Sequence, residues 1–335
     1  MHVIKNPAVA VLALSTLCLP PAPAVQKQHW ALDENTPAAV LWRNPADLAS
    51  RNLFYGPGGE RDRPRGPYTY VKEDLKGSSP KFVVRDGQGV LWKVKLGIEA
   101  RPETAATRIV WAAGYFTNED YFLPALRVLN MPAHLHRGWK YVGPDGSVHN
   151  ARLKRMDTGE KKVGDWRWRR NPFTNTRELN GLRVLMAVIN NWDLKDVNNH
   201  IYQEGPEQVY MVSDLGASFG WVGRRWPASK AKGNLDSYSH SRFIRHVTPA
   251  TVDFAVPARE SLIYAVDLKE YIKRIHLEWI GKGIPLDDAR WMGGLLARLS
   301  PRQLRDAFRA AGYTPQEADG FTAVVERRIA MLTDL

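Results

Sequence analysis

Two short stretches of this chain carry side chains suited to phosphoryl-transfer chemistry. Asp193, Lys195 and Asn198 follow the spacing D-x-K-x-x-N, and Asp214 comes after two apolar segments joined by a Glu-Gly-Pro turn. Phosphoryl transfer uses a carboxylate that accepts the proton of the attacking hydroxyl, a cation beside the phosphate, and oxygen ligands for a divalent metal ion. Asp193 and Lys195 fit the first two roles, and Asn198 and Asp214 the third. The alternative is a polar hairpin loop in which Asp193 and Asn198 bond to their own backbone.

The order of these motifs resembles the protein-kinase-like superfamily. Its members carry a catalytic loop with this Asp and Asn, then a hairpin, then a D-x-G triplet, and here Leu215 stands where the familiar triplet has Phe. The resemblance implies ATP and Mg²⁺ as cofactors. It also implies that Asp193 is the catalytic base, that Lys195 stabilises the transferred phosphate, and that Asn198 and Asp214 hold the metal ion.

A glycine- and serine-containing loop lies upstream, between two predicted strands at 68–72 and 82–84. The segment 77–81 reads Gly-Ser-Ser-Pro-Lys. Backbone N–H groups and hydroxyls in such a loop can bind phosphate oxygens. The segment also resembles the phosphate loop of HipA-type kinases. This resemblance implies an atypical kinase-like protein, nearest to HipA-type and bacterial secreted kinase-like proteins. The resemblance implies that the nucleotide is covered by Gly77, Ser78, Ser79 and Lys81.

The next predicted strand, 90–96, carries two lysines on one face. Lys93 and Lys95 alternate with Trp and Val. Kinases pair a strand lysine of a Val-x-Lys motif with nucleotide phosphates and with a helix glutamate. We expect Lys95 in this role because it follows Val and ends the strand, and Glu103 as its partner. Glu99 remains an alternative partner, and an exposed lysine pair with acids at a helix N-terminus remains the alternative interpretation.

The pattern along the chain predicts a two-lobed α+β fold. We predict a strand-rich small lobe at 67–132, a basic and aromatic insert at 133–172, and a helical large lobe with the catalytic loop at 173–335. In the insert, Arg and Trp alternate, which is compatible with a solvated edge or with an anionic ligand. Helices are predicted at 104–113 and, with Thr314 as the N-cap residue and a glutamate three positions later, at the C-terminus.

The N-terminus predicts export. Residues 1–24 combine a lysine, a short apolar run and an A-x-A cleavage site, the pattern of a signal peptide. Residues 25–66 form a predicted N-terminal extension and linker. The only cysteine, Cys18, lies in the signal, so the mature chain has no disulfide. No later apolar run is long enough for a transmembrane helix. We therefore expect a secreted or periplasmic protein.

Composition limits the choice of partners without selecting one. The chain has 335 residues, a net charge of +12 and 44% hydrophobic residues, enough for a substantial core and compatible with anionic partners. Three histidines, His134, His136 and His149, lack a zinc-ligand pattern. The sequence predicts an exported phosphotransferase acting on an unidentified acceptor, for which an anionic compound suits the basic surface. The alternatives are a catalytically weak pseudokinase or cell-envelope interaction module, and a cytosolic HipA-like kinase acting near nucleic acid, a partner that export argues against.

Overall fold

The computed structural model describes residues 37–77, 79–156, 159, 161–220, 231–256, 272 and 275–335. The predicted signal peptide (1–24) and Ser78 lie outside these residues. Within the described ranges, no helix combines the length and apolar character needed to cross a membrane.

Twelve strands and six α-helices are present in the described part of the chain. The helix predicted at the C-terminus begins where expected, with Thr314 and Glu317 forming a capping box. The strands are β1 Ala38–Val40, β2 Tyr68–Asp74, β3 Lys81–Arg85, β4 Leu91–Lys95, β5 Asp120–Leu129, β6 Ser147–Arg155, β7 Lys161–Asp165, β8 Asn199–Glu204, β9 Glu207–Val212, β10 Ile244–Val247, β11 Thr251–Phe254 and β12 Ile284–Pro285; the helices are α1 Ala100–Ala112, α2 Arg177–Val188, α3 Leu235–Ser239, α4 Leu286–Leu296, α5 Pro301–Ala310 and α6 Pro315–Thr333.

Five strands close into a barrel in the order β2-β3-β4-β6-β5. Its interior is filled by side chains that alternate along the strands, among them Phe82, Val94 and Leu153. The opposite face of the same strands carries charged residues. Register places Lys95 beside Lys81 on β3 and beside Arg152 on β6. The barrel therefore presents a row of cations on its outer face, next to α1.

The barrel extends beyond the predicted small lobe. Strand β6 lies between β4 and β5, although its residues fall in the segment 133–172 that was predicted as an insert. Ala151 and Leu153 point into the barrel and are fully buried, so a strand rich in Arg and Lys still has one apolar face. The boundary expected at 132 thus falls inside the barrel, because its last strand is supplied from residues 147–155.

A second sheet, ordered β1-β9-β8-β7, supports the catalytic loop. Strands β8 and β9 pair antiparallel, with Asn199 opposite Val212, which confirms the predicted hairpin. Strand β1 pairs in parallel with β9 through Ala38 and Glu207. Within the predicted N-terminal extension and linker, the structure has β1 and one 3-10 turn at Leu48–Ser50. The β1 segment is held in a strand conformation by its pairing with the edge of β9.

The helical part of the chain is built on one large core. Helix α2 has Thr176 as its N-cap residue, buries Leu182 and Leu185, and packs against α4 and α6. Helix α1 contributes Ala105 and Ile109 to this same core, whereas the barrel has a separate one. A strand-rich lobe followed by a helical lobe confirms the predicted two-lobed, kinase-like α+β architecture.

Candidate active site

Lys95 lies at the centre of a cluster of carboxylates. Its Nζ is 2.8 Å from Oε2 of Glu103, 2.7 Å from Oε2 of Glu99 and 2.6 Å from Oδ1 of Asp214. Lys95 ends β4, the two glutamates begin α1, and Asp214 follows β9. Both glutamates considered as partners from the sequence therefore contact the lysine. The ion pairs join the barrel, the helix and the second sheet at one point.

The carboxylates set the charge state of Lys95. Burial opposes its charge, but Glu103, Asp214 and Glu99 outweigh burial and raise the pKa of the lysine above its usual value. Burial also works to raise the pKa values of Glu99 and Asp214, yet Lys95 lowers both below their usual range. The carboxylate oxygens lie within 4.8 Å of one another, a spacing that suits a metal ion. Because the ammonium contacts all of them, it supplies the positive charge that this cluster requires.

Behind Lys95, Glu103 continues into a buried ionic network. Arg152 donates from Nη2 to Oε1 of Glu103 at 2.7 Å, and its Nε lies 4.0 Å from Oδ2 of Asp120. Asp120 also accepts a hydrogen bond from Thr107 and contacts Arg108 at 3.3 Å. Burial raises the pKa of Asp120 to about 6 despite both arginines. This network fixes Glu103, and it was not predicted, since Arg152 was placed in the basic and aromatic insert and not in the strand-rich lobe.

Glu99 connects Lys95 to a different part of the molecule. Its Oε1 is ion-paired with Lys232, and its Oε2 accepts a hydrogen bond from the hydroxyl of Ser79 at 2.9 Å. Ser79 is one of the predicted phosphate-loop residues. The Lys232 ammonium also lies 5.4 Å from the centre of the Trp192 ring. Glu99 therefore holds together the glycine-serine loop, Lys95 and the segment that begins at residue 231.

The D-x-K-x-x-N segment, the predicted catalytic loop, directly follows α2. Lys195 Nζ is 2.7 Å from Oδ1 of Asp193, so the predicted base and the predicted phosphate-stabilising cation contact each other. Asn198 donates from Nδ2 to the backbone carbonyl of Asp193 at 2.9 Å, and its own carbonyl accepts from Ser213 N–H at 2.8 Å. These bonds tie the loop to the residue before Asp214. Asp214 has φ +56°, a conformation that aspartate tolerates.

A cavity of about 490 Å³ brings most of the predicted residues together. Gly77, Lys81, Lys95, Asn198 and Asp214 all line it. Glu103 lines it as well. Asp193 and Lys195 are not among its lining residues. They lie next to it, because the backbone carbonyl of Asp193 accepts a hydrogen bond from Asn198, which does line the cavity. Ser79 acts from outside through Glu99. The cavity therefore unites the residues expected to bind phosphate and metal, with the expected base next to it.

The walls of this cavity fit phosphate groups and a divalent ion. Lys81 lies beside Lys95 in the register and close to Gly77, whose φ of +67° makes the turn of the loop. On the other side, the amide of Asn198 uses its nitrogen for Asp193, which leaves its oxygen as a ligand, and Asp214 keeps Oδ2 when Oδ1 accepts from Lys95. Amide and carboxylate oxygens are the ligands that Mg²⁺ prefers.

No protein-family model matches this chain, and no curated protein is similar to it in sequence. Among solved structures, the Helicobacter pylori proinflammatory kinase CtkA is 11% identical, with a TM-score of 0.44 over 81% of this chain and 98% of that one. The Golgi casein kinase with Mn/ADP bound is 11% identical, with a TM-score of 0.39 over 81% and 72%. Another structure of the Golgi casein kinase gives 10% and 0.38, over 81% and 71%. Similarity of this degree assigns no activity.

Proposed function

We propose that this chain is a kinase-like phosphotransferase that moves the γ-phosphoryl group of ATP, with Mg²⁺, to a hydroxyl of an unidentified acceptor. One observation carries the proposal. Lys95, ion-paired with Glu103, shares a cavity with Asn198 and Asp214, in the order that the sequence motifs require. A purely structural salt bridge would not require the potential metal ligands Asn198 and Asp214 across the cavity, nor a cavity of this size lined by cations.

In this proposal the barrel binds the phosphates and the second sheet holds the metal ion. Lys81 and Lys95 offer two adjacent ammonium groups, and Gly77 lets the backbone of the loop approach the ligand. Asn198 and Asp214 contribute one oxygen each to the metal ion, which would neutralise charge on the phosphates. Glu103 keeps Lys95 on the cavity wall, because Arg152 fixes the glutamate from behind.

The transfer itself uses the catalytic loop. Asp193 accepts the proton of the acceptor hydroxyl as the new oxygen–phosphorus bond forms and the bond between the γ-phosphorus and the ADP oxygen breaks. Lys195 leaves the carboxylate of Asp193 and contacts the transferred phosphoryl group, exchanging one anionic partner for another. Because Asn198 donates to the Asp193 backbone, binding at the metal side and positioning of the base are mechanically connected.

A catalytically weak nucleotide-binding scaffold is the second candidate. The observation that favours it is that Lys95 already contacts three carboxylates, and Asp193 already contacts Lys195. A phosphate must compete with these partners for both ammonium groups. In an enzyme, ligand binding rearranges the contacts; in a scaffold, they persist in the bound state.

Export and the HipA-type relationship are part of the proposal and rest on the sequence. The signal peptide at 1–24 predicts a mature chain that starts near Val25, outside the cytoplasm. The glycine-serine loop at 77–81 is the part that resembles HipA-type kinases. Intact-mass measurement of native material checks the export: a retained Met1 and a cytosolic location would contradict it.

Isosteric variants of the two aspartates separate enzyme from scaffold. Asp214→Asn removes a metal-ligand charge, so Mg²⁺-dependent nucleotide binding and phosphoryl transfer should fall together. Asp193→Asn should keep nucleotide affinity and slow transfer by about 10²–10⁴-fold, the range for a positioned acid or base. Asp287→Asn is the matched control, because that side chain is 94% exposed. The measurements are calorimetric affinity for ATP with and without Mg²⁺, and transfer of labelled phosphate.

The outcomes assign the function. Wild type that binds ATP but shows no more turnover than Asp193→Asn, with any acceptor tried, supports the scaffold. Wild type that binds no nucleotide under either condition refutes both candidates. Equal effects of Asp193→Asn and Asp287→Asn on transfer would show that the D-x-K-x-x-N segment is only a polar loop.

A further inference from the structure

Lys154 is a lysine of the cleft that the proposed mechanism does not use. It lies on β6, on the same face as Arg152, opposite Lys93 of β4 and Asp120 of β5. Its side chain lines the 490 Å³ cavity and also a second cavity of about 350 Å³. The lysine therefore stands where the two cavities meet.

The two cavities are neighbours with different chemistry. Lys93, Asn118, Lys154 and Tyr202 line both of them. The phosphate- and metal-binding candidates are confined to the larger cavity. The smaller one is walled in part by apolar side chains that suit the faces of an aromatic ring, namely Pro57, Met156, Tyr202 and Met211. A nucleotide with its phosphates at Lys81 and Lys95 would place its base towards the shared wall.

Lys154 differs from Lys93 and Lys95 in having no carboxylate partner. Lys93 is paired with Asp74 at 2.9 Å, and Lys95 with three acids. Among the described residues, no ion pair or hydrogen bond is formed by Lys154 Nζ. Burial, followed by Arg152 and Lys93, lowers the pKa of Lys154 to about 8, so most of it is still protonated at neutral pH. The ammonium has three donors and accepts nothing, and on this partly buried side chain they are available to a ligand in the cavity.

Resting on the nucleotide site proposed above, we propose that Lys154 selects the nucleobase. It favours a base that presents an oxygen and a nitrogen acceptor on the edge facing the lysine. Guanine and hypoxanthine present O6 and N7, both acceptors. Adenine presents N7 beside the N6 amino group, which is a donor and would oppose the ammonium. The preferred phosphoryl donor is then a 6-oxopurine nucleotide such as GTP; this refines the identity of the donor proposed above and leaves the roles of Lys95, Asn198 and Asp214 unchanged.

The competing explanation is that Lys154 is simply another phosphate-binding cation. The two differ in what a ligand without a base should do. A base-selecting lysine contributes nothing to binding of inorganic tripolyphosphate. A phosphate-binding lysine contributes to every ligand that carries the phosphate chain, whatever its base.

The test measures calorimetric affinities of the full chain, with Mg²⁺, for GTP, ITP, ATP and tripolyphosphate. Wild type should bind GTP and ITP about 10- to 100-fold more tightly than ATP, the range for a hydrogen bond to a charged group. Lys154→Met should remove this preference and leave tripolyphosphate affinity unchanged. Lys154→Arg, which keeps a charged donor, should retain part of it. Lys72→Met is the control, since Lys72 is exposed on β2.

Each other outcome overturns a defined statement. ATP bound as tightly as GTP by wild type, with a ratio that Lys154→Met does not change, overturns the base selection and leaves the proposed phosphotransferase intact. Equal losses for all ligands including tripolyphosphate assign Lys154 to phosphate and overturn the base selection as well. If tripolyphosphate binds but no nucleotide does, the nucleotide site itself fails. Thermal unfolding of each variant verifies that the chain is folded.

Discussion

Lys95 and Lys154 lie on adjacent strands and the same face of one barrel, yet their surroundings differ completely. Lys95 contacts Glu99, Glu103 and Asp214, and these raise its pKa; Lys154 has no such partner, and burial lowers its pKa to about 8. Lys95 is also more deeply buried, with 3% of its surface exposed, whereas Lys154 is only partly buried. The difference shows that pairing decides whether a buried ammonium stabilises the fold or remains available for a ligand.

The two ends of the cleft are therefore expected to differ in what they do for stability. Lys95 joins β4, α1 and the end of β9 through its ion pairs with Glu99, Glu103 and Asp214. Removing it leaves three carboxylates close together. Removing Lys154 takes away a charge that the described residues do not neutralise by an ion pair. Substituting each lysine separately and measuring the free energy of unfolding tests this expectation.

The largest effect is expected for Lys95→Met. It should lower the free energy of unfolding by about 3–5 kcal/mol, the cost of removing one partner from a buried ion pair. Lys154→Met should change it by less than about 1 kcal/mol, or raise it, because an unpaired buried charge is removed. Urea unfolding followed by circular dichroism gives both values. Equal destabilisation by the two substitutions would remove the distinction between the ends of the cleft.

A smaller effect, dependent on pH, is expected for Glu99→Gln. Lys95 and Lys232 hold the pKa of Glu99 below its usual range, against burial. A carboxylate whose pKa is lowered on folding stabilises the protein above its unfolded pKa, about 4.3, and loses this contribution as the pH falls. Wild type should exceed the variant by about 1–3 kcal/mol at pH 6, and the gap should narrow steadily as the pH falls below about 4, closing only at the strongly lowered pKa of the folded state.

Glu103→Gln provides the matched comparison for that measurement. Glu103 is more deeply buried and bridges Lys95 and Arg152, so its substitution should cost more than Glu99→Gln at pH 6. If Glu99→Gln proves the more destabilising of the two, then Lys232 and Ser79 are the stronger connection, and the buried network contributes less than its geometry indicates.

The sequence predicted the parts of this site that lie within short motifs. The D-x-K-x-x-N loop, the hairpin after it and the pairing of Lys95 with Glu103 all depend on spacings of a few residues, which local structure converts directly into geometry. The expected base, Asp193, does not line the cavity; only its backbone carbonyl is connected to it, through the hydrogen bond from Asn198.

Other residues could not be placed from the sequence, because distant segments bring them to the site. Arg152 and Lys154 stand in a run of basic residues that reads as a solvated insert, and Lys232 follows Lys95 by more than a hundred positions. One signal was present: Ala151 and Leu153 alternate with the two cations, as in a strand with one buried face. The closed barrel, which decides what that strand packs against, is a property of five strands together.

The last prediction tests the two lysines without removing either. An amine reacts with an acylating reagent only when it is unprotonated, and at pH 8 about half of Lys154 is in that form, against less than about one per cent of an ordinary lysine. Lys95 is still more fully protonated, because its carboxylate partners raise its pKa. Limiting acetic anhydride at pH 8 should therefore modify Lys154 at least about tenfold faster than Lys95, as peptide mass spectrometry can measure.

The exposed Lys72 is again the internal reference for that experiment. Between pH 8 and pH 9, the modification rate of an ordinary exposed lysine rises about tenfold. The rate at Lys154 should increase less than twofold, because half of it is already unprotonated. A bound nucleotide should protect Lys154 and leave Lys72 unaffected. Modification of Lys95 before Lys154 would mean that access, and not pairing, distinguishes the two ends of the cleft.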